Sequence, residues 1–166
     1  MTKFRTILLG EDDESDAEMT VRALRANGLL NDVVVARDGV EVLDYLRRQG
    51  AWAGRGGGLP GLLLLDIKMP RRNGLEVLRE IRDDPVLKVL PVVVLTSSRE
   101  SPDVHQAYAL GANAYVVKPV GFEEFTDAVQ RIGAFWAMVN EPPLDEEARA
   151  DGTDEGENGI AVFETR

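Results

Sequence analysis

The sequence predicts an α/β protein built on a doubly wound parallel sheet covered on both faces by helices. Three observations carry that expectation. Five short runs are apolar throughout rather than alternating, as strands buried on both faces are. Segments with helical spacing separate them, which parallel strands need for their crossovers. The residues that follow the runs are acids, hydroxyls and a lysine, and in such sheets ligands bind outside the carboxyl ends of the strands, where the strand order reverses.

The strands are expected at Ile7-Leu8-Leu9, Val33 to Ala36, Leu62 to Leu65, Val92 to Leu95 and Ala114 to Val117, all rich in leucine or β-branched residues. The first helix runs to about Ala26 with Ser15 as its cap, places Ala17, Thr20, Val21 and Leu24 on one face, and stops at Asn27-Gly28. A second spans about Val40 to Gln49 and a third Leu75 to about Arg82, with Val77, Leu78 and Ile81 apolar. The fourth covers Ser101 to Leu110 and ends at Gly111, and the fifth runs from Phe122 to Ala137. Ala51 to Gly58 is rich in glycine but lacks the strand-then-helix context and the Gly-Lys-Ser/Thr ending of a phosphate-binding loop, so it reads as a flexible surface loop.

Composition narrows the function. At 166 residues and 44% hydrophobic content the chain suits one domain with a real core. Without cysteine there is no disulfide framework, thiolate metal site or cysteine nucleophile, which fits a reducing compartment. No apolar run approaches transmembrane length, and a soluble, cytoplasmic protein with no membrane partner is expected. The formal charge of −10 is concentrated at the end: residues 141–166 carry nine acids against two arginines. Residues 1–140 are read as the folded domain, and 141–166 as an acidic, disordered tail whose apolar piece, Ile160 to Phe163, could dock. With no basic stripe, direct DNA binding is not expected.

The strand ends carry the chemistry. Glu11 and Asp12 follow the first strand, Asp66 the third, Thr96 the fourth and Lys118 the fifth. Three carboxylates gathered within several Å repel one another by about 4 kcal/mol per close pair at an effective dielectric near 20, so protons or a cation must relieve them. Hard oxygen ligands with room for water suit Mg²⁺. A lysine and a hydroxyl beside them fit phosphoryl transfer, where catalysis is mostly positioning and charge neutralisation, and Asp66 is then the nucleophile. Singly each residue has an ordinary reading as a cap, a loop acid or a surface lysine, and for Asp13 and Glu14 the preferred reading is an acidic first helical turn favoured by the dipole. Together, in this strand order, they point to a site.

With these residues in place the chain resembles the receiver domain of bacterial two-component response regulators over residues 5 to 137. The resemblance implies a flavodoxin-like (βα)5 fold with sheet order 2-1-3-4-5. It also implies that Asp66 accepts a phosphoryl group from a sensor histidine kinase. Glu11, Asp12, Asp66 and the backbone carbonyl of Lys68 hold Mg²⁺ by that resemblance, with Asp12 the direct ligand of the acidic pair. Thr96 and Lys118 bind the phosphoryl group, Pro119 follows a cis peptide that aims the lysine, and Thr96 with Tyr115 forms the switch. Phe135-Trp136-Ala137-Met138-Val139 followed by Pro142-Pro143, with the long segment before the third strand, is similar to single-domain regulators paired with phytochrome-type kinases, which often dimerise through the fourth helix, fifth strand and fifth helix. Phe135 and Trp136 read equally well as closing the core, and the two readings are compatible.

Two positions depart from the family pattern. Lys68 stands where a neutral polar residue is usual, and Gly10 where a branched apolar residue is usual and where glycine would loosen the packing slightly. His105, the only histidine, is read as a surface residue. A Mg²⁺-dependent phosphatase would want a second acid at the position of Lys68, which argues against that enzyme class. A phosphorylation-independent scaffold, a phosphate sink and a relay step remain the alternatives.

Overall fold

The computed structural model describes residues 5–26, 31–141 and 143. Five parallel strands, β1 (Ile7–Gly10), β2 (Val33–Ala36), β3 (Leu62–Leu65), β4 (Val92–Thr96) and β5 (Ala114–Val117), alternate with α1 (Glu14–Ala26), α2 (Gly39–Arg47), α3 (Gly74–Asp83), α4 (Ser101–Ala109) and α5 (Phe122–Gly133). The strand order is β2-β1-β3-β4-β5, so the direction of winding reverses between β1 and β3. The expected fold, order included, is the observed one. The acidic tail and the Ile160 to Phe163 segment lie outside the described residues.

The all-apolar strands work because alternate residues serve opposite faces. Leu8, Leu63, Leu65, Val92 and Val94 pack with Val42, Leu43 and Leu46 of α2 and Val77, Leu78 and Ile81 of α3. Ile7, Leu9, Leu62, Leu64, Val93 and Leu95 face Ala17 and Leu24 of α1 and Phe125, Val129 and Ile132 of α5. A guanidinium staples one end of the first layer: Arg82 donates to the carbonyls of Lys88, Leu90 and Gly111 and to Asn113 Oδ1.

Local chemistry sets the helix starts. α1 begins earlier than Ser15 because Asp13 is its cap, accepting from the Asp16 N–H at 2.8 Å, and Glu14 and Asp16 occupy the acidic first turn. Asp38 caps α2, and Asn73 and Glu76 form a reciprocal capping box at α3. α5 hands over at Gly133 to a π-helical stretch, Ala134–Val139. There Trp136 packs against the core while Phe135 stays exposed, the two rings meeting edge-on at 5.2 Å.

Two expectations are corrected. The glycine-rich segment is not loose: it contains a 3-10 turn at Gly50–Trp52, Trp52 meets Tyr45 edge-on at 5.0 Å, and the Arg55 guanidinium lies 4.1 Å from the Tyr45 ring centre and donates to the Tyr45 carbonyl. Gly10 leaves no slack either. A Cβ there would sit 3.0 Å from both Leu65 Cδ1 and Val42 Cγ2, so these side chains already fill the space that a branched residue would need. Gly10→Val is therefore expected to destabilise the fold by about 1–3 kcal/mol through overpacking, read as a lower urea midpoint at unchanged slope.

Candidate functional site

The site lies at the carboxyl ends of β1, β3, β4 and β5, and the sheet register assembles it. Gly10 pairs with Leu65, and the Asp66 N–H donates to the Gly10 carbonyl at 3.0 Å, which sets the residues after β1 and β3 side by side. Thr96 pairs with Val117, and the Lys118 N–H donates to the Thr96 carbonyl at 2.7 Å. The turn after β3 folds back tightly, with Gly74 N–H bonded to the Ile67 carbonyl at 2.8 Å. A Cβ on Gly74 would lie 2.2 Å from the Asp66 carbonyl oxygen, so only glycine lets α3 start this close to Asp66.

At the centre sits the ammonium of Lys118. It donates to Glu11 Oε2 at 2.5 Å, Asp16 Oδ2 at 2.9 Å and Asp66 Oδ2 at 3.0 Å. Lys118, Glu11 and Asp66 are each under one-tenth exposed. Burial works against the charged lysine, but hydrogen bonds to Glu11 and Asp16 and the charge of Asp66 outweigh it, and the group is held above its usual range. Glu11 is pushed up from 4.5 to about 7, chiefly by burial; the charge of Asp66 adds to the rise and the bond from Lys118 opposes it. One buried cation thus serves three carboxylates and leaves negative charge in excess.

Carboxylate oxygens of Glu11, Asp12 and Asp66 lie within 4.8 Å of one another, with Glu11 and Asp66 buried and Asp12 exposed. Two acids anchored in the sheet and one open to solvent are a donor set suited to a hard divalent cation that keeps some of its waters. Lys68 is exposed; its N–H lies 3.4 Å from Asp66 Oδ1, and among the described residues its ammonium has no ion pair.

Thr96 is fully buried. Its hydroxyl lies 3.4 Å from the Ser98 N–H; Ser98 Oγ donates to Asp103 of α4 at 2.5 Å, and the half-buried Tyr115 hydroxyl donates to the Ser98 carbonyl at 2.9 Å. Burial raises the Tyr115 phenol. Thr96, Tyr115 and the start of α4 are therefore joined through Ser98.

The structure brings together Glu11, Asp12, Asp66, Lys118 and, at the next strand end, Thr96, while His105 is exposed on α4. The Lys118–Pro119 peptide is a correction: it is trans, with no cis bond among the described residues. The lysine reaches the carboxylates from a trans backbone because its long side chain is tethered at three oxygens. Sequence reasoning missed Asp16 and Ser98. Asp16 stood within the acidic first turn of α1, and its spacing of four from Asp12 was the available signal.

Residues 7–130 match the response regulator receiver domain family. The chain belongs to that family. Response regulator Rcp1 of Synechocystis sp. (strain ATCC 27184 / PCC 6803 / Kazusa) is 36% identical over 132 residues, 80% of this chain and 88% of that protein. The Mn²⁺-bound form of Rcp1 superposes with a TM-score of 0.79 at 34% identity, covering 84% of this chain and 99% of that one. The phosphorylated cyanobacterial phytochrome response regulator RcpA gives 0.80 at 36% identity, over 86% and 100% of the two chains. The bacteriophytochrome response regulator RtBRR is 49% identical, with a TM-score of 0.69 and 88% of each chain covered. This receiver is homologous to phytochrome response regulators. Among its described residues no helix is long and apolar enough to cross a membrane.

The raised Glu11 carboxyl gives the receiver a pH signature. Its folded value lies above 4.5, so its contribution to stability is complete below 4.5 and is lost as pH rises through about 7. In chelator, the melting temperature is expected to fall over that interval, and Glu11→Gln is expected to flatten the slope.

Proposed function

We propose that this receiver is a phosphorylation-switched signalling module in which Asp66 takes a phosphoryl group from the phosphohistidine of a sensor histidine kinase in the presence of Mg²⁺. The observation that carries the proposal is the Lys118 ammonium bridging Glu11 and Asp66 at the point where the sheet reverses, with Asp12 beside them. Asp66 Oδ forms the new bond to phosphorus as the bond from phosphorus to the imidazole nitrogen breaks, and the imidazole leaves with the electron pair. Lys118 neutralises phosphoryl oxygens, and Thr96 offers its hydroxyl to one of them. Glu11, Asp12, Asp66 and the Lys68 carbonyl would hold the metal, whose charge relieves the carboxylates and the incoming oxygens.

Drawing Thr96 toward the phosphoryl group would disturb Ser98 and, through it, Tyr115 and α4, so phosphorylation biases the surface made by α4, β5 and α5. That region carries exposed Tyr108, Val120, Phe122 and Phe135, which supports a homodimer there. Homology to phytochrome response regulators supports a phytochrome-type kinase as the partner. We assign residues 1–140 to the receiver and 141–166 to an acidic tail, place the protein in the cytoplasm, and expect no turnover beyond its own phosphorylation and dephosphorylation.

Incubation with acetyl phosphate and Mg²⁺ is expected to add one phosphoryl group by intact mass, and Asp66→Asn or chelator to abolish the gain. No gain under conditions that label other receivers moves the reading to a phosphorylation-independent scaffold. Lys68 is exposed two residues beyond Asp66, and its ammonium is expected to shield the acyl phosphate, so Lys68→Asn shortens its lifetime about two- to fivefold at saturating Mg²⁺. An unchanged decay rate removes Lys68 from the chemistry.

A further inference from the structure

The geometry points to Asp16 as a positioning residue for phosphoryl transfer, one that holds Lys118 so that its remaining N–H groups face the reaction. The inference rests on the reading of Asp66 as phosphoacceptor. An ammonium has three N–H donors and no acceptor. In this receiver each has one carboxylate: Glu11 Oε2 on the β1 side, Asp66 Oδ2 on the β3 side and Asp16 Oδ2 from the first turn of α1. Two of these acceptors belong to the chemistry, since Glu11 lies in the acidic cluster and Asp66 is the nucleophile. Asp16 is outside that cluster and reaches Lys118 from the solvent side, its side chain about one-third exposed.

Asp16 is itself well fixed. Its N–H is bonded to Asp13 Oδ1, its carbonyl accepts from the buried Thr20 hydroxyl at 2.7 Å, and its carboxylate sits in a helical first turn where negative charge is favoured. Glu11 and Asp66 would be shared with a bound divalent cation, whereas Asp16 lies outside the acidic cluster and would keep its bond to Lys118. When Asp66 carries the phosphoryl group as an acyl phosphate, a phosphoryl oxygen would take the place of the Asp66 carboxylate as acceptor. The tether at Asp16 stops the flexible four-carbon chain from swinging out, so the ammonium meets the phosphoryl oxygens in a set orientation.

The test follows the rate of Asp66 phosphorylation against acetyl phosphate concentration at saturating Mg²⁺. In this step the Asp66 Oδ–phosphorus bond forms, the bond from phosphorus to the acetate oxygen breaks, and acetate leaves with the electron pair. Asp16→Ala is expected to lower the limiting rate about fivefold while leaving the half-saturating donor concentration and calorimetric Mg²⁺ affinity unchanged, because Asp16 touches neither ligand. Asp16→Asn, which keeps an acceptor oxygen in place, is expected to retain most of the rate. The Lys118 ammonium protons, observed by ¹⁵N NMR in the metal-free protein, are expected to exchange faster in Asp16→Ala. Thermal melts check the fold, whose α1 cap is Asp13 and stays intact.

An Asp16→Ala rate equal to or above wild type overturns the inference, as does a loss equally large in Asp16→Asn or a fall in Mg²⁺ affinity that accounts for the rate. Wild-type protein that takes no phosphoryl group is a different result. It removes the phosphoacceptor reading first and this inference with it.

Discussion

One buried ammonium holds the working end of this receiver together. Lys118 stands among Glu11, Asp16 and Asp66, and carboxylates placed this close in a protein interior repel one another by several kcal/mol. Breaking a buried pair by removing one partner typically costs about 3–5 kcal/mol, because it leaves charge without compensation. Burial, with the charge of Asp66 adding to it, raises the Glu11 carboxyl even though Lys118 donates to it. The site thus carries an electrostatic demand that protons, a divalent metal or a phosphoryl-linked rearrangement can meet, and the sheet beneath it supplies the rigidity that keeps the charges from relaxing apart.

That rigidity has a simple source. The central strands are apolar on both faces, so two helical layers clamp them, and the last residue of each strand is held by backbone bonds to its neighbours. Gly10 and Gly74 tighten the frame further: one is packed against Leu65 and Val42, and the other lets α3 begin against the Asp66 backbone. By contrast, the contacts of Thr96 with Ser98, and of Ser98 with Asp103 and Tyr115, are single hydrogen bonds at strand ends. They join the charge site to α4, the helix least supported by buried residues of its own. A stiff charge centre tied by a few polar bonds to a lightly packed helix is the arrangement a binary switch needs.

Most of the fold was legible because it rests on one-dimensional signals. Continuous apolar runs named the five strands, helical spacing named the five helices, and strand ends rich in acids, hydroxyls and lysine named the site. Departures arose wherever a residue's meaning depends on what lies across space. Asp13 rather than Ser15 caps α1, a choice set by which side chain reaches the free N–H groups of the first turn. The glycine-rich segment is ordered because Trp52 and Arg55 find Tyr45 on the preceding helix. The Lys118–Pro119 bond is trans, with the lysine aimed by its three ion pairs instead.

The sequence by itself determined the doubly wound sheet and put Glu11, Asp12, Asp66, Thr96 and Lys118 at strand ends, since burial on two faces demands apolar runs and these polar residues fall where the runs stop. Only the tertiary structure decided that Asp16 shares Lys118 with them, that Ser98 links Thr96 to Tyr115, and that Gly10 is fully packed. These contacts join residues on different elements, up to 102 positions apart for Asp16 and Lys118, and no local pattern encodes a distance of that kind.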